Sequence, residues 1–307
     1  MVDPGLEELV QTIKSRVDAP PRVTLRQPPC LLQDELNLGL IKQMQTASFS
    51  GVAQTILDSV LEFDKNYKIG GSQDLGRIAA LYKGYAKGLE GGLTSTELQA
   101  AISNYTETPN WFQKYIALSH SSFLHGVNQE RQAALQKAQL ALAIIPENSE
   151  TNLYAAFAKS DITLAIAHLH NLQGNSSLAL STSLEFLKLT EGDSNPKAEI
   201  DLINNLIYAY GIGRNHEAQL FLSEYLLELE KTRSSTVPGL SEIRIAGSMN
   251  DVGRFNDALA YAAKANEKAE NPAIIRKAQM SEAIALAGLG RLAEAVSYTH
   301  LTLPTKA

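Results

Sequence analysis

Apolar residues recur at spacings of three and four along most of the chain, with polar residues filling the positions between them. Leu40, Ile41, Met44 and Ala47 make one such stripe, and Val52, Ile56, Leu57, Val60 and Leu61 make the next. The spacing returns in Leu202, Leu206, Ala209 and Tyr210, in Ala218, Leu222, Tyr225, Leu226 and Leu229, and in Ala278, Ala283, Leu286 and Ala287. This period predicts amphipathic helices, each with one face for a core. A first short helix is expected from Leu6 to Val17, followed by a linker containing Pro20, Pro21, Pro28 and Pro29.

A short turn punctuates the later helices as Gly174-Asn175, Gly213-Arg214, Gly253-Arg254 and Gly290-Arg291, at intervals of 39, 40 and 37 residues. An acid and an alanine follow three of these turns, in Glu217-Ala218, Asp257-Ala258 and Glu294-Ala295, and Ala179 takes the alanine's place after Gly174. Such a period predicts repeated helical hairpins. Glycine suits the turn because a helix that stops sharply takes a left-handed residue, where glycine carries no side-chain penalty. Alanine early in the second helix lets two backbones approach closely. Gly192 to Pro196, Pro238-Gly239 and Pro272 fall between hairpins, where they break one helix and open another. Upstream, the glycine-rich run Gly84 to Gly92 ends a helix, and Thr94 with Glu97 forms a capping box for the next.

On these residues the chain resembles the tetratricopeptide repeat family over about 111–295. Ala246, Gly253, Phe255, Ala258 and Ala265 match the family's small, turn and large positions, and Ser122, Ala134, Ala138, Ala141 and Pro146 match in an earlier unit. The chain departs from the pattern at Leu206, Phe186 and Tyr225, where small residues are expected, and its period exceeds the family's usual length of about 34 residues. The resemblance implies an all-α fold, a right-handed superhelix of antiparallel hairpins whose concave surface binds peptides or protein segments. The expected organisation is a short helix and proline-rich linker at 1–30, divergent hairpins at 31–110 and repeats at 111–295. Residues 296–307 read as a translated sequencing-adaptor scar and not as native protein, so the last hairpin is expected to be truncated, and less stable than a complete one.

Composition narrows the function. The 33 acidic and 27 basic residues of the 307 are interspersed, giving a net charge of -6 without the basic footprint of a nucleic-acid binder. Cys30 is alone, which excludes an internal disulfide and a cysteine-rich zinc site. The N-terminus lacks a basic start and an apolar stretch of signal length, and no apolar run reaches membrane-spanning length. A cytoplasmic location is therefore expected, with the periplasm left open if a leader or anchor lies outside the sequence.

Little catalytic chemistry is visible. Gly70 to Arg77 has the glycines of a phosphate loop but not its lysine and hydroxyl pair. His168 and His170 are two residues apart, and His120 and His125 five, whereas metal ligands sharing a helix face need three or four. His300 falls in the scar. No cofactor, metal site or catalytic residue is expected. Candidate groove or interaction residues are His125, His170, Tyr210, Arg214, Arg254 and Arg291, and the structural turn residues are Gly174, Gly213, Gly253 and Gly290. The expected function is a protein-interaction or sensory module with a protein or peptide partner. Its long repeats resemble the input regions of bacterial diguanylate cyclases or histidine kinases. The alternatives are a stand-alone peptide-binding adaptor and an all-helical enzyme acting on carbohydrate through a carboxylate pair.

Overall fold

In a computed structural model of the protein, the described residues are 8–12, 15, 29–50, 53–67, 75–89, 96–147, 152–190, 196–231, 238–269 and 272–296. Among them are helices and turns and no strand. Residues 8–12 and 15, within the expected first helix, are helical, with Leu9 and Val10 buried. The longer helices are α1 (Pro29–Ser50), α2 (Ala53–Tyr67), α3 (Gly76–Gly88), α4 (Thr96–Thr106), α5 (Trp111–Val127), α6 (Arg131–Ala143) and α7 (Leu153–Leu172). They continue as α8 (Ser176–Leu189), α9 (Pro196–Ile212), α10 (His216–Lys231), α11 (Leu240–Asp251), α12 (Phe255–Lys268) and α13 (Pro272–Gly288). Within each unit, consecutive helices joined by short connections pack as neighbours, α1 through α7 in one and α9 through α13 in the other, as expected for hairpins. Of the predicted linker prolines, Pro29 opens α1, while Pro20, Pro21 and Pro28, the capping Thr94, the loop residues 70–74 and 192–195, and residues 297–307 with His300 lie outside the described residues. So do the side chains of Cys30 and Glu97.

The small positions of the repeats are buried between helices. Ala134, Ala138 and Ala141 of α6 are fully buried, and Ser122 of α5 donates a hydrogen bond to the Ala134 carbonyl at 2.8 Å. Ala246, Ala258 and Ala265 are likewise fully buried. At the expected small positions that carry larger residues, Leu206 and Phe186 are also buried. Phe255 packs its ring over Gly288, where any side chain would run into it.

The turns follow one geometry with one correction. After α11 and α13, Gly253 (φ 76°) and Gly290 (φ 75°) are left-handed, and two bonds close each turn. In the first, Gly253 N–H bonds to the Asn250 carbonyl at 3.1 Å and Arg254 N–H to the Met249 carbonyl at 2.8 Å. Gly174 is also left-handed, at φ 79°. Gly213 is not. After α9 the left-handed residue is Arg214 (φ 60°), whose N–H bonds to the Gly211 carbonyl at 3.1 Å while the Asn215 N–H bonds to the Tyr210 carbonyl at 2.9 Å, so α9 runs one residue further than the glycine suggests. Gln129 (φ 63°) plays this part after α5, in a turn that has no glycine to mark it.

The chain forms two compact units. One, here the aromatic unit, comprises Pro20–Gln173 and Ser181–Glu191; the other, the aliphatic unit, comprises Met1–Ala19, Gly174–Leu180 and Gly192–Ala307. The aromatic unit is built around Phe63, Tyr82, Tyr85, Phe112, Tyr115 and Tyr154, all fully buried. Phe112 meets the rings of Trp111, Tyr115, Tyr154 and Phe157. The aliphatic unit buries Leu206, Leu222, Leu226, Ile245, Met249 and its alanines, with no buried aromatic ring among its described residues.

Candidate functional site

In the aliphatic unit, the first helices of successive hairpins, α9, α11 and α13, leave a cavity of about 300 Å³. Ile207 and Tyr208 of α9 line it, with Ile243, Arg244, Gly247, Asn250 and Asp251 of α11, and Lys277, Met280, Ser281 and Ile284 of α13. Leu240 and, from α10, Gln219 complete the wall. Tyr208 is 48% exposed, Met280 61% and Ile284 48%, so large apolar side chains stand uncovered beside a well-buried core. That is the reverse of what the hydrophobic effect favours in a surface with nothing to meet.

Hydrogen bonds hold the walls in place. Asn250 Nδ2 donates to the Ser281 carbonyl and hydroxyl, both at 3.0 Å, tying α11 to α13. Gln219 Nε2 donates to Asp251 Oδ2 at 3.0 Å, tying α10 to α11. His216 Nδ1 lies 3.1 Å from Gln219 Oε1; an amide oxygen only accepts, so Nδ1 carries the proton. Asn250 Oδ1 is buried without a hydrogen-bond partner. The lining offers no nucleophile with a base beside it. Among the described residues, no group of three His, Cys, Asp or Glu could hold a metal ion. Its lining offers apolar contact and charge to a ligand.

The sequence-based candidates are placed elsewhere. Tyr210 is half-buried and does not line the cavity; two residues along a helix are about 200° around it, so Tyr208 takes the exposed position. His125, at the end of α5, bonds through Nδ1 to Glu130 Oε2. His170 is buried near the end of α7, and burial pushes its pKa down. Arg214 is the left-handed turn residue. Arg254 and Arg291 each pair with the acid three residues on, Asp257 at 2.8 Å and Glu294 at 2.6 Å, within the first turn of a helix. Lys277, Met280 and Ile284 had a sequence signal that periodicity alone passes over. They form a second stripe on α13, beside the core stripe of Ile274, Ala278 and Ala285.

Inside the aromatic unit, polar side chains from α1, α5 and α7 are engaged with one another. Asp161 of α7 accepts from the Tyr115 hydroxyl of α5 at 2.6 Å and from Gln45 of α1 at 3.0 Å. Asp34 of α1 accepts from the Tyr154 hydroxyl of α7 at 2.9 Å. His120 is fully buried with Tyr82 and Tyr85 edge-on to its ring, and its Nδ1 donates to the Ile116 carbonyl at 2.9 Å. Burial lowers its pKa to about 4, against a small opposing effect of that bond.

No protein-family model matches the chain, and no curated protein matches it. Solved structures do. The chain is similar to NprR in complex with its cognate peptide NprX, at 12% identity and a TM-score of 0.62, over 86% of this chain and 76% of that one. It is similar to the apo form of RapI, at 12% identity and a TM-score of 0.55, over 87% and 75%. A tetratricopeptide repeat protein from Parabacteroides merdae ATCC 43184 matches at 15% identity and a TM-score of 0.53, over 89% and 95%. At these identities the likeness is one of fold, and the chain has a tetratricopeptide-like fold of helical repeats. None of its described helices is long and apolar enough to cross a membrane.

Proposed function

We propose that this chain is a non-enzymatic interaction module that binds a peptide segment in the cavity between α9, α11 and α13. The observation that carries the reading is the uncovered apolar wall of Tyr208, Met280 and Ile284, set in a frame that Asn250 and Gln219 hold by hydrogen bonds. NprR, of like fold, was solved with a peptide bound, which supports the class of ligand. The same binding would serve a sensory input ahead of an output domain or a stand-alone adaptor.

The test is affinity selection of the full chain against a pool of random decapeptides, repeated with Met280→Asp and Ile284→Asp together. Both side chains are exposed, so the double variant should keep its helical content and melting temperature. It should lose enrichment by at least about tenfold, as expected when apolar contacts of this size are replaced by charge. Equal enrichment by both proteins would reject the cavity as the binding site.

A further inference from the structure

We propose that the cavity takes an extended, apolar peptide segment carrying one acidic and one basic side chain about three residues apart, and that α11 sets that spacing. This deepens the peptide-binding reading and rests on it. Arg244 and Asp251 both line the cavity from α11, each with a contact of its own, and a guanidinium's five donors and a carboxylate's lone pairs exceed what such a contact uses. They are seven residues apart, close to two helical turns, so they share a face about 10 Å apart along the axis. An extended chain advances about 3.3–3.6 Å per residue, so three residues span that distance.

The space between the two charges is open. Gly247 lies between them in the helix, and a methyl group in place of its hydrogen would meet no atom within 4 Å. The peptide backbone can therefore approach α11 closely there, while its apolar side chains reach the exposed Tyr208, Met280 and Ile284. Asn250 Oδ1, buried and without a partner, offers an acceptor to a backbone N–H.

The charges are arranged against the helix's own preference. Asp251 is the last residue of α11, where the macrodipole favours a cation. One carboxylate oxygen accepts from Gln219, and a carboxylate has lone pairs to spare for a ligand's donor. Lys277 is exposed, makes no ion pair among the described residues, and adds a second cation to the lining. A ligand with acids at both places would meet Asp251, and one with bases at both would meet Arg244 and Lys277. The mixed segment satisfies both.

The experiment is fluorescence polarisation of the full chain against four pools of labelled octapeptides. Two positions three apart hold aspartate and lysine, two aspartates, two lysines, or asparagine and glutamine; the remaining positions vary among apolar residues. The mixed pool should bind tightest, by roughly fivefold for each charge pair it satisfies. Asp251→Lys should move the preference to the two-aspartate pool, and lysine at a helix end suits α11. Gly247→Trp, whose first side-chain carbon has open space, should abolish binding of every pool while circular dichroism and the melting temperature stay those of the wild type. Equal binding of all four pools, blocked by Gly247→Trp, would overturn the spacing proposal and leave the peptide-binding reading standing. Binding by none, or binding indifferent to Gly247→Trp, would overturn both. Self-association that Gly247→Trp dissolves, without peptide binding, would overturn them in favour of a second copy of the chain.

Discussion

The two units solve the same problem of repeated hairpins with opposite materials. In the aromatic unit, α1 packs against both α3 and α7, and the polar groups that hairpin helices present inward are spent on each other, through Asp34 with Tyr154 and Asp161 with Tyr115 and Gln45. In the aliphatic unit, alanines pack between helices, Tyr208, Met280 and Ile284 stay exposed, and an apolar cavity lies between α9, α11 and α13. The contrast teaches that the repeat pattern sets the hairpins, while the residues pointing inward decide whether a groove is filled from within or left for a partner.

The largest expected effect breaks the comparison at its aromatic end. Phe112 is fully buried and touches four rings, so Phe112→Ala should cost about 3–5 kcal/mol. Hydrogen exchange should show the loss in 29–147 and spare α11 and α12. Equal loss of protection in both would mean that the units unfold as one body.

A smaller effect is specific to pH. His120 is buried neutral, with its pKa lowered to about 4 from an ordinary 6.5. The folded state therefore binds fewer protons than the unfolded one between these values. Stability from this group is complete above pH 6.5 and is lost as pH falls toward 4, by at most about 1.4 kcal/mol per pH unit. Denaturant unfolding of wild type and His120→Phe at steps from pH 7 to 4.5 reads the difference in slope. Parallel curves for the two proteins would mean that another group governs acid lability.

Most of the hairpin architecture was legible because its signals are local. Gly253 and Gly290 mark left-handed turns, and Ala258 and Ala265 mark close packing, through properties each residue carries wherever it stands. Gly213 misled because Gly213-Arg214 reads like Gly253-Arg254, while the left-handed residue after α9 is Arg214. The turn at Gln129 had no glycine to announce it. The cavity was harder still. It is assembled from four helices, and which of Tyr208 and Tyr210 faces it depends on the rotation of α9 against its neighbours, which periodicity within one helix does not fix. The candidate arginines were visible as a repeat, but their partners Asp257 and Glu294 lie only three residues away and take up their charge.

The smallest effect sharpens the comparison by touching one turn in each unit. Gln129 and Arg214 hold left-handed backbone at φ 63° and 60°, a conformation that costs an ordinary side chain about 1 kcal/mol and glycine almost nothing. Glycine also gives the unfolded chain more freedom, which offsets part of the gain. Gln129→Gly and Arg214→Gly should each stabilise by roughly 0.5 kcal/mol, and Gly253→Arg should destabilise by a similar amount or somewhat more. Gly253 has open space where a side chain would begin, so strain and not collision sets its cost. Hydrogen exchange should place the gain from Gln129→Gly in α5 and α6, and that from Arg214→Gly in α9 and α10. A loss from Arg214→Gly would mean that the arginine side chain contributes more to its turn than the strain removes, and that the two turns are alike in backbone only.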